Sequence, residues 1–263
     1  MLPDTEPEYQ LPPITLNSLD EYLKDLGKEF RRSNGTKTHA EIILVGGAAI
    51  LANYGFRDLT YDVDAIIVAP SAMKDAISRV RDKHGLPHGW LNTDFKRTDS
   101  YTDKLFEASA YYRTFSNVLT IRVITAEYLL AMKLMSCRQY KNDLSDIVGI
   151  LWEHQKRGEP LSREAVEKAF ISLYGSDAVI PDISRMLLDS VFDDGNYEAL
   201  YQSTRKSELE SKELLLEFEQ EYPHALKTEN IDRLIEKMKR KSSAAPEKDS
   251  LLARLKEAKS EAE

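Results

Sequence analysis

Two aspartates one residue apart, Asp62 and Asp64, follow a glycine pair, Gly46-Gly47, in the stretch ILVGGAAILANYGFRDLTYDVDAIIV. Alternate side chains of a strand share a face, so both carboxylates are expected to point the same way while Val63 points into the core. Two co-facial carboxylates repel unless a cation sits between them. Mg2+, which prefers carboxylates together with substrate phosphates, is the expected guest. The glycine pair stands between an apolar run and a helical pattern. Glycine lets backbone approach a ligand closely, and a helix start offers unpaired N–H groups to an anion.

A phosphate-binding turn beside a metal pair is the combination that nucleotidyl transfer requires. The metal neutralises charge on a triphosphate and stabilises the leaving pyrophosphate, while the turn positions the β- and γ-phosphates. Arg57 can reach the same phosphates with a planar donor fork. Thr60 can bond the local backbone or hold the approach to the aspartates. Either half of the pattern is weak alone, since glycine pairs are common in turns and an edge strand can carry two solvated aspartates. Here AIIVA follows Asp64 and reads as buried strand, and charges leading into a buried strand need a partner.

A lysine interrupts an apolar helix face further along. In TAEYLLAMKLMSCR, Ala126, Leu129, Leu130, Leu134 and Cys137 share a face, and Lys133 falls in its middle. Such a lysine either snorkels to water along its stem or meets an anion in a ligand site. Asp143 and Asp146 follow at i, i+3 beside a core stripe of Leu144, Ile147, Val148 and Leu151. They read as a solvated helix face with a helix-start aspartate favoured by the dipole. Trp90, Asn92 and Phe95 in GWLNTDF either line a base pocket or serve as core and turn residues.

The elements that must position these groups are legible from periodicity. Ser18 and Glu21 have capping-box spacing ahead of Leu19, Tyr22, Leu23, Leu26 and Phe30 at helical period. EIILVGG (41–47) reads as a strand ending at the glycines, AAILANYG as a short helix, and DVDAIIVAP (62–70) as a second strand. SAMKDAISRVRDKHG is helical, VLTIRVI (118–124) is a third strand, and helices are expected over about 125–138 and 141–156. Residues 1–15 are Pro-rich and acidic, and are expected to form an extended arm.

After EHQKRGEP only helical patterns remain: SREAVEKAFISLYG, PDISRMLLDSVF, about 196–221, ENIDRLIEKMKRK and DSLLARLKEAKSEAE. The last segment is charge-rich and is expected to be poorly ordered. Together the patterns predict an α+β fold, a mixed sheet flanked by helices followed by an all-helical C-terminal region. The domains are expected at 1–156 and 161–263.

GGAAILANYGFRDLTYDVD resembles the signature of the polymerase-β-like nucleotidyltransferase superfamily. Its long form, G-G…R-x-x-T-x-D-x-D, is similar to that of abortive-infection toxin nucleotidyltransferases and a related group of unassigned bacterial proteins. WLNTDF and the K-x4-R…D-x2-D helical segment are similar to that unassigned group, and the likeness covers about residues 35–155. The resemblance implies a magnesium-dependent enzyme that moves NMP from an NTP to an acceptor such as RNA, tRNA, a protein or a small molecule. Asp62 and Asp64 would be metal-binding and catalytic, with Lys133 catalytic. Gly46, Gly47, Arg57, Thr60, Asn92 and Asp143 would contact the nucleotide, Asp143 also being placed to orient Lys133. A toxin or phage-defence setting with an antitoxin partner is implied by resemblance only. The superfamily adds a third carboxylate from a later strand. VLTIRVI carries none, which leaves Asp94 and Glu107 as candidates and keeps a second reading open, a catalytically reduced nucleotide- or partner-binding module.

Bulk properties exclude other classes. A net charge of −8 over 263 residues argues against a protein that coats nucleic acid through many phosphate contacts. The run Lys237, Lys239, Arg240 and Lys241 is short and sits beside acidic residues. One cysteine, Cys137, rules out an internal disulfide framework and suits a reducing cytoplasm. No apolar run approaches the roughly 18–20 residues that span a membrane, and the N-terminus lacks the basic and apolar blocks of a secretory signal.

Overall fold

A computed structural model of the chain describes residues 13–223, 225–226, 231 and 233–239. Helix α1 (Leu16–Asn34) opens the described fold, then β1 (Ala40–Leu44), α2 (Gly46–Asn53), β2 (Val63–Val68), α3 (Met73–His84) and the short β3 (Leu91–Asn92). Two 3-10 turns, Asp94–Arg97 and Asp103–Phe106, lead to the hairpin β4 (Ser109–Phe115) and β5 (Leu119–Ile124). Helices α4 (Ala126–Ser136), α5 (Asp143–Lys156), α6 (Arg163–Tyr174), α7 (Asp182–Asp194) and α8 (Tyr197–Glu221) complete the named elements.

The five strands form one mixed sheet in the order β3-β2-β1-β5-β4. β1 runs antiparallel to β2 with Leu44 opposite Ala65, and parallel to β5 with Leu44 opposite Val123. Ile42, Ile43 and Leu44 are all fully buried. Successive strand residues face opposite sides, so β1 is covered on both faces, as its unbroken apolar run requires. The fold is therefore α+β, with helices flanking a mixed sheet and a helical region after it.

Several local expectations shift. The capping box of α1 uses Thr15 as cap and Ser18 as its third residue, with the Ser18 N–H on Thr15 Oγ1 at 3.3 Å. The Ser18–Glu21 pair has the right spacing one turn too late. β2 begins at Val63, so Asp62 stands just outside the strand. β4 was not expected, because SAYYRTF leaves four of its seven residues exposed and gives no apolar run. It is an edge strand, held by its turn and by pairing to β5. DSLLARLKEAKSEAE and most of the N-terminal arm lie outside the described residues, and ENIDRLIEKMKRK lies partly outside them.

The chain divides into two compact units, one of Met1–Cys137 with Asp146–Glu198 and one of Arg138–Ser145 with Ala199–Glu263. In the first, α4 packs with α6 and α7, and Ser184 of α7 donates its hydroxyl to the Leu134 carbonyl at 2.9 Å. In the second, buried Glu208 of α8 accepts the N–H groups of Leu144 and Ser145 at 2.9 and 3.1 Å. That is an N-terminal cap supplied by a side chain distant in sequence. Arg205 bonds Asn142, and Lys239 reaches the Ser207 hydroxyl at 2.9 Å.

Candidate functional site

The two glycines answer different physical demands. Gly46 has φ +55, a left-handed conformation that a side chain disfavours, although its Cβ position would sit an ordinary 3.6 Å from Asp64 Oδ2. Gly47 has ordinary backbone but no room. A Cβ there would lie 2.9 Å from both Arg57 Nη2 and Thr60 Oγ1. The turn thus lies against Asp64 on one residue and against Arg57 and Thr60 on the next. Helix α2 starts at Gly46 with no side chain capping its first N–H groups, so the turn presents a helix N-terminus beside a carboxylate.

Arg57 is built into this floor. Its Nε donates to the Leu59 carbonyl at 3.1 Å, and its Nη1 donates to both oxygens of Asp146, at 2.8 and 3.2 Å. Asp146 also receives Lys133 Nζ at 2.9 Å, the two side chains being 4% and 8% exposed. The Lys133 ammonium is therefore held inside by an acid and does not snorkel to water. A continuous chain of contacts runs from Gly47 through Arg57 and Asp146 to Lys133. Arg57 and Lys133 thus both pair with the buried carboxylate of Asp146.

Asp146, 3% exposed, is the buried carboxylate that joins Arg57 to Lys133. Asp146 pairs directly with Lys133, a partner to which the sequence pattern did not point. Asp143 itself is fully buried and pairs with Arg138 at 2.7 Å in the second unit. The missed signal was of the same kind as that at Lys133: Asp146 stands on a stripe with Ile147 and Ile150, both fully buried.

α5 comes close enough for this pairing because of Gly149. A Cβ there would lie 2.6 Å from the Phe56 ring, beside Arg57 in sequence. At the far end of α2, burial pushes the Tyr54 hydroxyl up to about 12. Its oxygen lies 3.2 Å from His154 Nε2, which ties α2 to α5 again.

The aspartate pair flanks Val63, which is fully buried, with Asp62 exposed and Asp64 half-buried. Thr60 is 3% exposed and donates its hydroxyl to the Asp62 carbonyl at 3.2 Å, fixing the backbone that leads into the pair. Asn92 lies directly beside Asp64, its register partner on parallel β3. Its side chain is committed to its own loop, accepting the Asp94 N–H at 2.8 Å and donating to the Gly89 carbonyl at 3.3 Å. Trp90, by contrast, belongs to the core. It is 1% exposed, donates to the Ile77 carbonyl at 3.3 Å and meets Tyr22 edge-on. Phe95 is also buried, against Tyr101.

No carboxylate stands on β5, whose one charged residue, Arg122, bonds Ser109 and reaches Glu41 at 3.4 Å. Glu107 and Asp94 are both exposed, just before β4 and just after β3. The donor set at Asp62 and Asp64 is all hard oxygen, partly open and close to a helix start, which fits a divalent cation such as Mg2+. A second possible carboxylate–histidine group, Glu21, Asp25 and His84, has ligand atoms within 4.8 Å of one another. There Asp25 is already held by Lys28 at 3.0 Å, Lys83 at 2.5 Å and His84 at 2.9 Å. Burial alone would raise its carboxyl, but hydrogen bonds from Lys83, His84 and Lys28 outweigh that and hold it below the usual range.

A family model described as nucleotidyltransferase of unknown function (DUF6036) matches residues 21–155, just over half of the chain. The chain belongs to this family. The matched span contains the glycine turn, the aspartate pair, Arg57, Lys133 and Asp146. Membership supports a general role in nucleotidyl transfer with an NTP as substrate, and nucleotidyltransferases usually use divalent metals. No curated protein and no solved structure matches the chain. Among the described residues, no helix is long and apolar enough to cross a membrane.

Proposed function

We propose that this protein is a magnesium-dependent nucleotidyltransferase that moves NMP from an NTP to an acceptor hydroxyl. The acceptor oxygen forms a bond to the α-phosphorus, the bond from that phosphorus to the β-phosphate oxygen breaks, and pyrophosphate leaves. The acceptor proton passes to solvent or a neighbouring base. The observation that carries this reading is the contact of Gly46-Gly47 with Asp64, Arg57 and Thr60 at once. A phosphate turn and a carboxylate pair are useful together only if they meet.

Asp62 and Asp64 would hold the cation, which when bound neutralises triphosphate charge and assists the leaving group. The N–H groups at Gly46 and Gly47 bind and orient phosphate oxygens. Lys133 contributes a positive charge, and Asp146 sets its position. Arg57 acts chiefly as a brace, because its Nε and Nη1 donors are committed to Leu59 and Asp146. Asn92 fixes the border of the site beside Asp64, and Asp143 serves the start of α5. The catalytic domain is taken as residues 1–156, with the helical region 161–263 receiving the acceptor or a partner. Within this reading a cytoplasmic toxin or phage-defence component, held by an antitoxin, is the biological setting that the GGAAILANYGFRDLTYDVD motif favours.

A second reading rests on the lack of a carboxylate on β5: a member that binds nucleotide or a partner without chemistry. Incubation with each NTP labelled at the α-phosphate, Mg2+ and total RNA or cell lysate separates the two. Transfer of label to a macromolecule or small acceptor is expected. Tight Mg-NTP binding with no labelled product in any fraction would favour the binding module.

A further inference from the structure

The segment before α1 reaches the site. Ile14 forms an isolated antiparallel bridge with Thr60, its N–H on the Thr60 carbonyl at 2.7 Å and the Thr60 N–H on its own carbonyl at 2.9 Å. Ile14 is 1% exposed. Pro13 precedes it and Thr15 caps α1, so one residue is fixed between a proline-restricted backbone and a helix start. Thr60 is the residue whose hydroxyl meets the Asp62 carbonyl and whose Oγ1 sits 2.9 Å from the Cβ position of Gly47.

We infer that Ile14 is a positioning residue: a one-residue strap that fixes Thr60, and through it the backbone of Asp62 and the Gly47 turn. Without the strap, the 55–62 loop would keep Arg57 as its anchor, through Asp146, Leu59 and the packing on Gly47. The bridge adds a second anchor, two residues before the aspartate pair. A backbone held from two sides presents a carboxylate with less freedom to lose on binding a cation. The functional half of this inference rests on the nucleotidyltransferase reading; the mechanical half does not.

Two full-length variants separate the strap from simple burial. Ile14→Ala removes the buried side chain and keeps both backbone bonds. Ile14→Pro also removes the N–H that Thr60 accepts, while suiting the extended backbone after Pro13. Amide exchange, read without nucleotide, should rise about three- to tenfold more in Ile14→Pro than in Ile14→Ala at Gly47 and residues 60–64, the worth of one net hydrogen bond. Exchange in β5 and α6 should be equal in the two. Titration with Mg2+ at fixed ATP should then show Ile14→Pro needing several-fold more Mg2+ than Ile14→Ala for half-maximal nucleotide binding. Equal exchange at Gly47 and 60–64 in the two variants would overturn the strap. Different exchange with equal Mg2+ requirement would overturn its role in positioning the aspartates. A parent protein that binds no Mg-ATP, with the exchange difference present, would contradict the nucleotide-site reading and leave the mechanical strap standing.

Discussion

At the scale of single residues, Gly47 and Asp146 carry the sharpest expectations. Gly47→Ala puts a Cβ 2.9 Å from a guanidinium nitrogen and from a buried hydroxyl, closer than such contacts occur. It should cost about 1–3 kcal/mol by overpacking and weaken NTP binding, read by denaturant unfolding and nucleotide titration. A fully stable Gly47→Ala with parental affinity would show that Arg57 and Thr60 do not brace the turn. Asp146→Asn removes the anion shared by Arg57 and Lys133 and should cost about 3–5 kcal/mol. Lys133→Met leaves Asp146 paired with Arg57, so its stability loss should be clearly smaller while nucleotide binding falls. Equal losses of stability in the two would contradict the shared-anion arrangement. Lys133 stood out because it interrupts an apolar face, and Asp62 and Asp64 by their spacing after the glycine pair. Asp146 interrupts an apolar stripe too, but the nearby Asp143 drew the same reasoning.

At the scale of elements, the sequence pattern is strongest where burial is two-sided and weakest at edges. β1 and β2 declare themselves by apolar runs, whereas β4 is an edge strand with exposed tyrosines and an irregular register between Tyr111 and Arg113. The close approach of α5 to the 54–57 loop was invisible, because nothing in a helical glycine announces a ring against it. Gly149→Ala should gain about 1 kcal/mol in helix propensity, yet a Cβ 2.6 Å from the Phe56 ring makes overpacking the larger effect. Net destabilisation by denaturant unfolding is expected, and stabilisation would mean that the ring moves freely. At the α1–α3 contact, hydrogen bonds from Lys83, His84 and Lys28 outweigh burial and hold the Asp25 carboxyl below its ordinary range. A depressed acid stabilises above its unfolded value and loses that contribution as pH falls below about 4. The stability difference between parent and Asp25→Asn should therefore shrink from pH 7 to pH 3. A constant difference would place the effect in packing and not in charge.

At the scale of the whole molecule, family membership supports a general role in nucleotidyl transfer, and the mixed sheet brings the glycine turn against Asp64. The mixed sheet was legible from hydrophobic runs and the glycine pair. The Ile14 bridge was not, since a single paired residue leaves no periodicity to read. Asp62 and Asp64 are proposed to hold the metal that admits the nucleotide. Calorimetric titration of Mg-NTP into the parent and into the Asp62→Ala, Asp64→Ala double variant tests this most directly, with circular dichroism to confirm that the variant is folded. The parent should bind and the folded double variant should not; a double variant that binds Mg-NTP as tightly as the parent would contradict the account.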